Sequence, residues 1–132
     1  MDHNIKINWT KDSNFEYEEN NQKFSMDILS EKGFSPKKLL LVGLAGCTGI
    51  DIVSLLEKMR VSFSEFNISV EANLTEEHPK FYKEIIIHYS IKSENTNKDK
   101  IQKAIDLSME KYCGVSAMLA KTAEIKPVLT II

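Results

Sequence analysis

The chain has 132 residues, 42% of them hydrophobic and 27% charged, a balance ordinary for a single globular domain spanning residues 1–132. Its formal net charge is −2 and it contains a single arginine, Arg60, so it offers no basic footprint for nucleic acid. The opening MDHNIKINWT lacks the basic and apolar regions of a secretory signal. The expected setting is cytoplasmic, where two cysteines are more often reduced thiols than a structural disulfide.

Ile5, Ile7 and Trp9 alternate with Lys6, Asn8 and Thr10, the period-2 pattern of a half-buried strand. Phe15 and Tyr17 repeat it, Asn20-Asn21 supplies a turn tolerant of positive φ, and Phe24, Met26 and Ile28 continue it on a return strand. Gly33 closes this meander. Ser35 and Pro36 then form a helix-start signal, N-cap followed by first helical position.

Residues 39–56 are almost all apolar or small, so the helix that follows is greasy on every side and must be buried on most of them. Its uninterrupted run ends at Asp51, short of the ~20 residues that a bilayer requires, so no membrane span is expected. Gly43, Gly46 and Gly49 recur at every third position. Each costs about 1 kcal/mol against alanine within a helix, so close backbone packing, by another helix, is the expected reason. The apolar surface also exceeds what a chain of this size covers alone, which predicts a homodimer.

Phe66, Ile68 and Val70 predict a strand extended by Ala72 and Leu74, and the segment around His78-Pro79 a loop. Residues 82–91 read as a second long strand, rich in β-branched residues and tyrosine. Ile101, Ala104, Ile105, Ser108 and Tyr112 lie at helical spacing on one predicted buried face. A break at Cys113-Gly114 separates this helix from a short one, and residues 125–132 form a last strand whose Pro127 suggests an edge or a bulge. The order is βββ-α-ββ-α-α-β: an α+β domain with a long buried central helix packed on antiparallel sheet.

Only the cysteines make a suggestive constellation. Cys47 lies mid-helix, beyond the reach of the terminal dipole, and equally suits a small hydrophobe in a packed core. As a nucleophile it needs a cation or donor brought by tertiary structure. Cys113, at the start of a short helix, is expected to have its pKa lowered by unsatisfied N–H groups, or else merely to fill a gap. Asp51 shares a helical face with Cys47 and is either a wet-pocket carboxylate or the point where the helix surfaces. His78 projects from its loop, while His3 and His88 are scattered. No short Cys/His spacing marks a metal site, and no glycine-rich phosphate loop or nucleophile elbow marks a cofactor or hydrolase.

Three segments together, Ser35-Pro36-Lys37-Lys38-Leu39-Leu40, Ala45-Gly46-Cys47-Thr48 and Tyr112-Cys113-Gly114-Val115-Ser116, resemble the OsmC/Ohr family of thiol-dependent hydroperoxide reductases. The resemblance implies the OsmC-like fold and an intertwined dimer with active sites near the subunit interface. It also implies that Cys47 is peroxidatic and Cys113 resolving, with a small-molecule hydroperoxide as substrate, an external dithiol as reductant and no cofactor. Where the active peroxidases usually carry a glutamate this chain has Lys37, and it has no arginine in its N-terminal strands. Lys37, Lys6, Lys23 or His78 is therefore expected beside Cys47 in the dimer as its activating group. The same departures support a second reading, a non-catalytic OsmC-fold dimer that binds an apolar small molecule in the interface cleft.

Overall fold

The computed structural model describes residues 1–29 and 33–132, which form two compact units, Met1–Val42 and Gly43–Ile132. The first unit holds a three-stranded antiparallel sheet in the order β1 (Ile7–Lys11), β2 (Asn14–Glu19), β3 (Gln22–Met26). Asn20 and Asn21 turn the β2–β3 hairpin with φ of 51° and 63°, the left-handed values that asparagine tolerates. Tyr17 and Phe24 face each other across it with ring centroids 5.5 Å apart. The return strand stops at Met26, short of the expected Ile28, because the ladder gives way to a parallel bridge between Met26 and Phe34. Gly33 is required there, since a Cβ on it would lie 2.7 Å from the Asp27 backbone nitrogen. Trp9 is 63% exposed, so the face expected to be half-buried on β1 is uncovered in the single chain.

The helix α1 (Pro36–Lys58) runs from one unit into the other. The Ser35 carbonyl accepts its first intrahelical bond from the Leu39 amide at 3.1 Å, as the N-cap position requires. At its far end Arg60 adopts φ 57°, and the Val61 and Arg60 amides bond back to the Leu56 and Glu57 carbonyls at 3.0 and 3.1 Å. These two bonds are the Schellman stop, with arginine in the place usually held by glycine. Val61 and Leu56, the apolar pair of that motif, are both buried.

The second unit is built on the sheet β4 (Ser64–Leu74), β5 (Tyr82–Lys92), β6 (Glu124–Ile131), with β5 central. The sheet is mixed rather than antiparallel throughout: β4 runs antiparallel to β5, and β6 parallel to it. The parallel pairing follows from the crossover between β5 and β6, which carries α2 (Lys98–Leu107) and α3 (Gly114–Leu119). Pro127 lies in the edge strand β6, where its missing donor is tolerated. On β5 the residues Ile85, Ile87, Tyr89 and Ile91 alternate inward and are at most 1% exposed.

Within this unit α1 buries one stripe, Leu44, Thr48, Ile52 and Leu56, each fully inaccessible. By length and composition α1 is able to cross a membrane, contrary to the expectation from its apolar run, and this stripe packs it into the core of the second unit. Gly49 admits a strand rather than the expected helix, since a Cβ there would meet Ile68 Cδ1 at 2.9 Å. At Gly43 and Gly46 an added Cβ would meet nothing within 4 Å among the described residues, and Ile50 on the same face is 73% exposed. Within the second unit, one face of α1 is thus covered and the notched one is open among the described residues.

Between α2 and α3 the chain makes one wide turn over Ser108–Tyr112, closed by a bond from the Cys113 amide to the Ser108 carbonyl at 2.8 Å. That i→i+5 bond is a π-turn, which inserts one residue into the helical phase. Tyr112, expected on the buried face, is therefore 51% exposed, and Cys113 takes the inward position at 3%. The stripe on α1 sets the stability of this unit. Replacing Ile52 by alanine should cost about 2–5 kcal/mol in denaturant unfolding, whereas Ser54→Ala on the exposed side should stay within about 0.5 kcal/mol of wild type.

Candidate functional site

Three elements of the second unit converge. The α1 segment supplies Cys47, Thr48 and Asp51, β5 supplies Tyr89, and the π-turn supplies Ser108 and Cys113. Cys47 and Asp51 share a helical face because they are four residues apart. The π-turn has the same effect on Ser108 and Cys113, which face inward five residues apart.

The hydroxyls form a chain with a defined direction. Ser108 Oγ donates to Asp51 Oδ2 at 3.0 Å, which uses its one proton. Thr48 Oγ1, 2.9 Å from Ser108 Oγ, must then donate to it. Tyr89 in turn donates to Thr48 across 2.9 Å, in preference to the softer acceptor Met109 Sδ at 3.8 Å. Burial pushes the Tyr89 phenol up to about 12; its bond with Thr48 opposes that rise, and nearby Cys113 and Asp51 add to it. The head of the chain therefore keeps its proton throughout the neutral range. Thr48 and Ser108 are fully buried, and among the described residues no buried side-chain nitrogen or oxygen lacks a partner.

Both cysteines are free thiols. One ligand-type atom from each of Cys47, Asp51 and Cys113 lies within 4.8 Å of the other two. Cys113 sits at the N-cap of α3 and its Sγ accepts the Ser116 amide at 3.3 Å, while Ser116 Oγ donates to the Cys113 carbonyl at 2.9 Å. The expected lowering of its pKa by this helix start is overturned. Burial, and then a hydrogen bond to Cys47, push the Cys113 thiol up, and the Ser116 bonds only partly offset them. Burial thus favours the protonated form of the Cys113 thiol.

Lys37 occupies the first turn of α1, well before Cys47 on the same helix, and His78 lies exposed in the loop between β4 and β5 and is not a member of the Cys47–Asp51–Cys113 cluster. His88 faces Glu71 on the solvent side of the sheet at 3.7 Å, and His3 lies in the exposed N-terminal segment. Sequence reasoning missed Thr48, Ser108 and Tyr89 as site residues. The signal was a polar residue inside an apolar period: Thr48 between Leu44 and Ile52, and Ser108 at the end of the Ile101 face.

This fold and thiol pair are accompanied by a match of residues 29–128 to the family model described as OsmC-like protein, and the chain belongs to that family. Among relatives, Protein YhfA of Escherichia coli K12 is 33% identical over 95 residues, which is 72% of this chain and 71% of that protein. A hypothetical protein from Aquifex aeolicus superposes with a TM-score of 0.87 at 28% identity, covering 98% of this chain and 95% of its own. An organic hydroperoxide resistance protein OsmC from Legionella pneumophila shares the fold at a TM-score of 0.74 and 16% identity, over 99% of both chains.

The raised Cys113 thiol has a readable consequence. The folded state holds this proton more tightly than the unfolded chain, so its stabilising contribution is complete below the ordinary thiol range and is lost as pH rises through the raised value. Alkylation of Cys113 followed by mass spectrometry against pH should have its midpoint above the ~8.5 of an ordinary thiol. A midpoint at or below that value would remove burial as the governing effect.

Proposed function

We propose that this protein reduces organic hydroperoxides with two thiols. Cys47 attacks the terminal peroxide oxygen, the O–O bond breaks, and the alkoxide leaves as alcohol after taking a proton. Cys47 is then a sulfenic acid. Cys113 attacks that sulfur, water leaves, and the Cys47–Cys113 disulfide is reduced by an external dithiol. The observation that carries the reading is the approach of two thiols from distant parts of an OsmC-like chain, one on α1 and one after the π-turn, to within 4.8 Å. The division of labour is supported by the state of Cys113: a resolving thiol that keeps its proton does not compete with Cys47 for the peroxide.

The working unit in this proposal is a cytoplasmic homodimer. The open α1 face, with Gly43, Gly46 and exposed Ile50, supports a partner helix seated against it. Lys37, about ten residues and hence roughly 15 Å before Cys47 along the helix, acts on a thiolate only from the partner subunit. The departures at Lys37 and in the N-terminal strands favour the second reading, apolar ligand binding in the interface cleft without turnover.

Consumption of an organic hydroperoxide with a dithiol as reductant decides between them. Wild type should turn over, Cys47→Ser should lose at least about a hundredfold of the rate, and mild oxidation should yield an intramolecular Cys47–Cys113 disulfide by peptide mapping. Absence of turnover with both thiols reduced would leave the ligand-binding reading. Assembly is checked by sedimentation at low micromolar concentration: wild type should run as a dimer, and Gly43→Leu, which fills the notch, should shift it towards monomer.

A further inference from the structure

The cluster of two sulfurs and a carboxylate has a chemistry that thiol oxidation does not use. We propose that the reduced protein binds a zinc ion through Cys47, Asp51 and Cys113, with the fourth position open to water or a small ligand. The spacing that marks sequence-visible metal sites is missing here, because two ligands come from one turn of α1 and the third arrives through the π-turn.

The donor set selects the ion. Two thiolates disfavour magnesium and calcium, which take oxygen, and a carboxylate is a poor companion for copper(I), which takes soft ligands alone. Zinc accepts both sulfur and carboxylate in a tetrahedral site. With Zn–S near 2.3 Å, tetrahedral geometry places two sulfurs about 3.8 Å apart. The three atoms already lie within 4.8 Å, so closure asks for about 1 Å of side-chain adjustment. Cys47 and Asp51 are only half-buried, which leaves an approach from solvent.

An outer shell is also in place. Ser108 donates to Asp51 Oδ2 at 3.0 Å and is itself aligned by Thr48 and Tyr89, so the carboxylate is oriented by a fully buried hydroxyl. The Ser116 amide donates to Cys113 Sγ at 3.3 Å, which orients that sulfur. Bonds of this kind fix ligand geometry and tune metal affinity. Each thiol that binds releases its proton to solvent. Resting on the two-thiol reading above, the ion also acts as a redox guard. Oxidation of the bound pair by one hydroperoxide, with uptake of two protons, yields the disulfide, free zinc, alcohol and water.

Cobalt(II) titration of the reduced, metal-free protein tests the site directly. Tetrahedral d–d absorption with thiolate-to-cobalt charge-transfer bands is expected, and zinc should bleach both. Cys47→Ser and Cys113→Ser should each remove the two-thiolate spectrum. Ser108→Ala, which leaves all three ligands in place, should weaken cobalt binding about 10–100-fold, with far-UV circular dichroism confirming that it folds. Weak octahedral binding by wild type, or a spectrum unchanged by either cysteine variant, overturns the site. Charge-transfer bands in a protein that consumes no hydroperoxide would sustain the metal site and remove the peroxidase reading alone. Hydroperoxide consumption without such bands would do the reverse.

Discussion

The run of hydroxyls from Tyr89 through Thr48 and Ser108 to Asp51 is the constraint on which the second unit depends. It ties the central strand, the core helix and the turn after α2 at one point, inside a setting otherwise made of Leu44, Ile52, Ile85 and Ile87. A buried hydroxyl without a partner costs about 1–3 kcal/mol, so each member is acceptable only because the next is present. The sense of donation ends on a carboxylate, which needs no proton of its own. Hydrogen bonds in such a series polarise one another, so the carboxylate is firmly anchored where it borders the two sulfurs.

The helix that carries this site has two characters. Its Leu44–Thr48–Ile52–Leu56 stripe is saturated by the second unit, while an added Cβ at Gly43 or Gly46 would meet nothing within 4 Å among the described residues and Ile50 is largely exposed. Composition alone blends the two faces into one greasy segment. A glycine notch that is open in one chain and another that is filled by Ile68 separate them. The three glycines are therefore not equivalent: Gly49 is explained by packing against β4, and the other two by nothing among the described residues.

Element order was legible because it rests on local signals. The Asn20-Asn21 turn, the Ser35-Pro36 start and the Cys113-Gly114 break all occur where their side chains demand. The parallel pairing of β6 was not legible, since strand direction depends on the crossover rather than on alternation. The two thiols were visible as residues, but the state of Cys113 was not. A helix start lowers a thiol pKa and burial raises it, and only the depth of the site decides which effect prevails. Ser108 was read as part of a helical face, and Thr48 only within the motif around Cys47, because a single polar residue within an apolar period has no partner that sequence can name. Tyr112 was placed inward because a 3.6-residue period was carried through a turn that breaks it.

That turn sets the angular phase of everything after Leu107. Removing one residue from Ser108–Tyr112 would restore an ordinary helical turn, and the following residues would rotate by about 100° about the axis. The fold's layers would survive such a deletion, but the second sulfur would swing away from α1. The five-residue turn is thus a gauge whose length, rather than any single side chain in it, keeps a two-thiol protein from becoming a one-thiol protein.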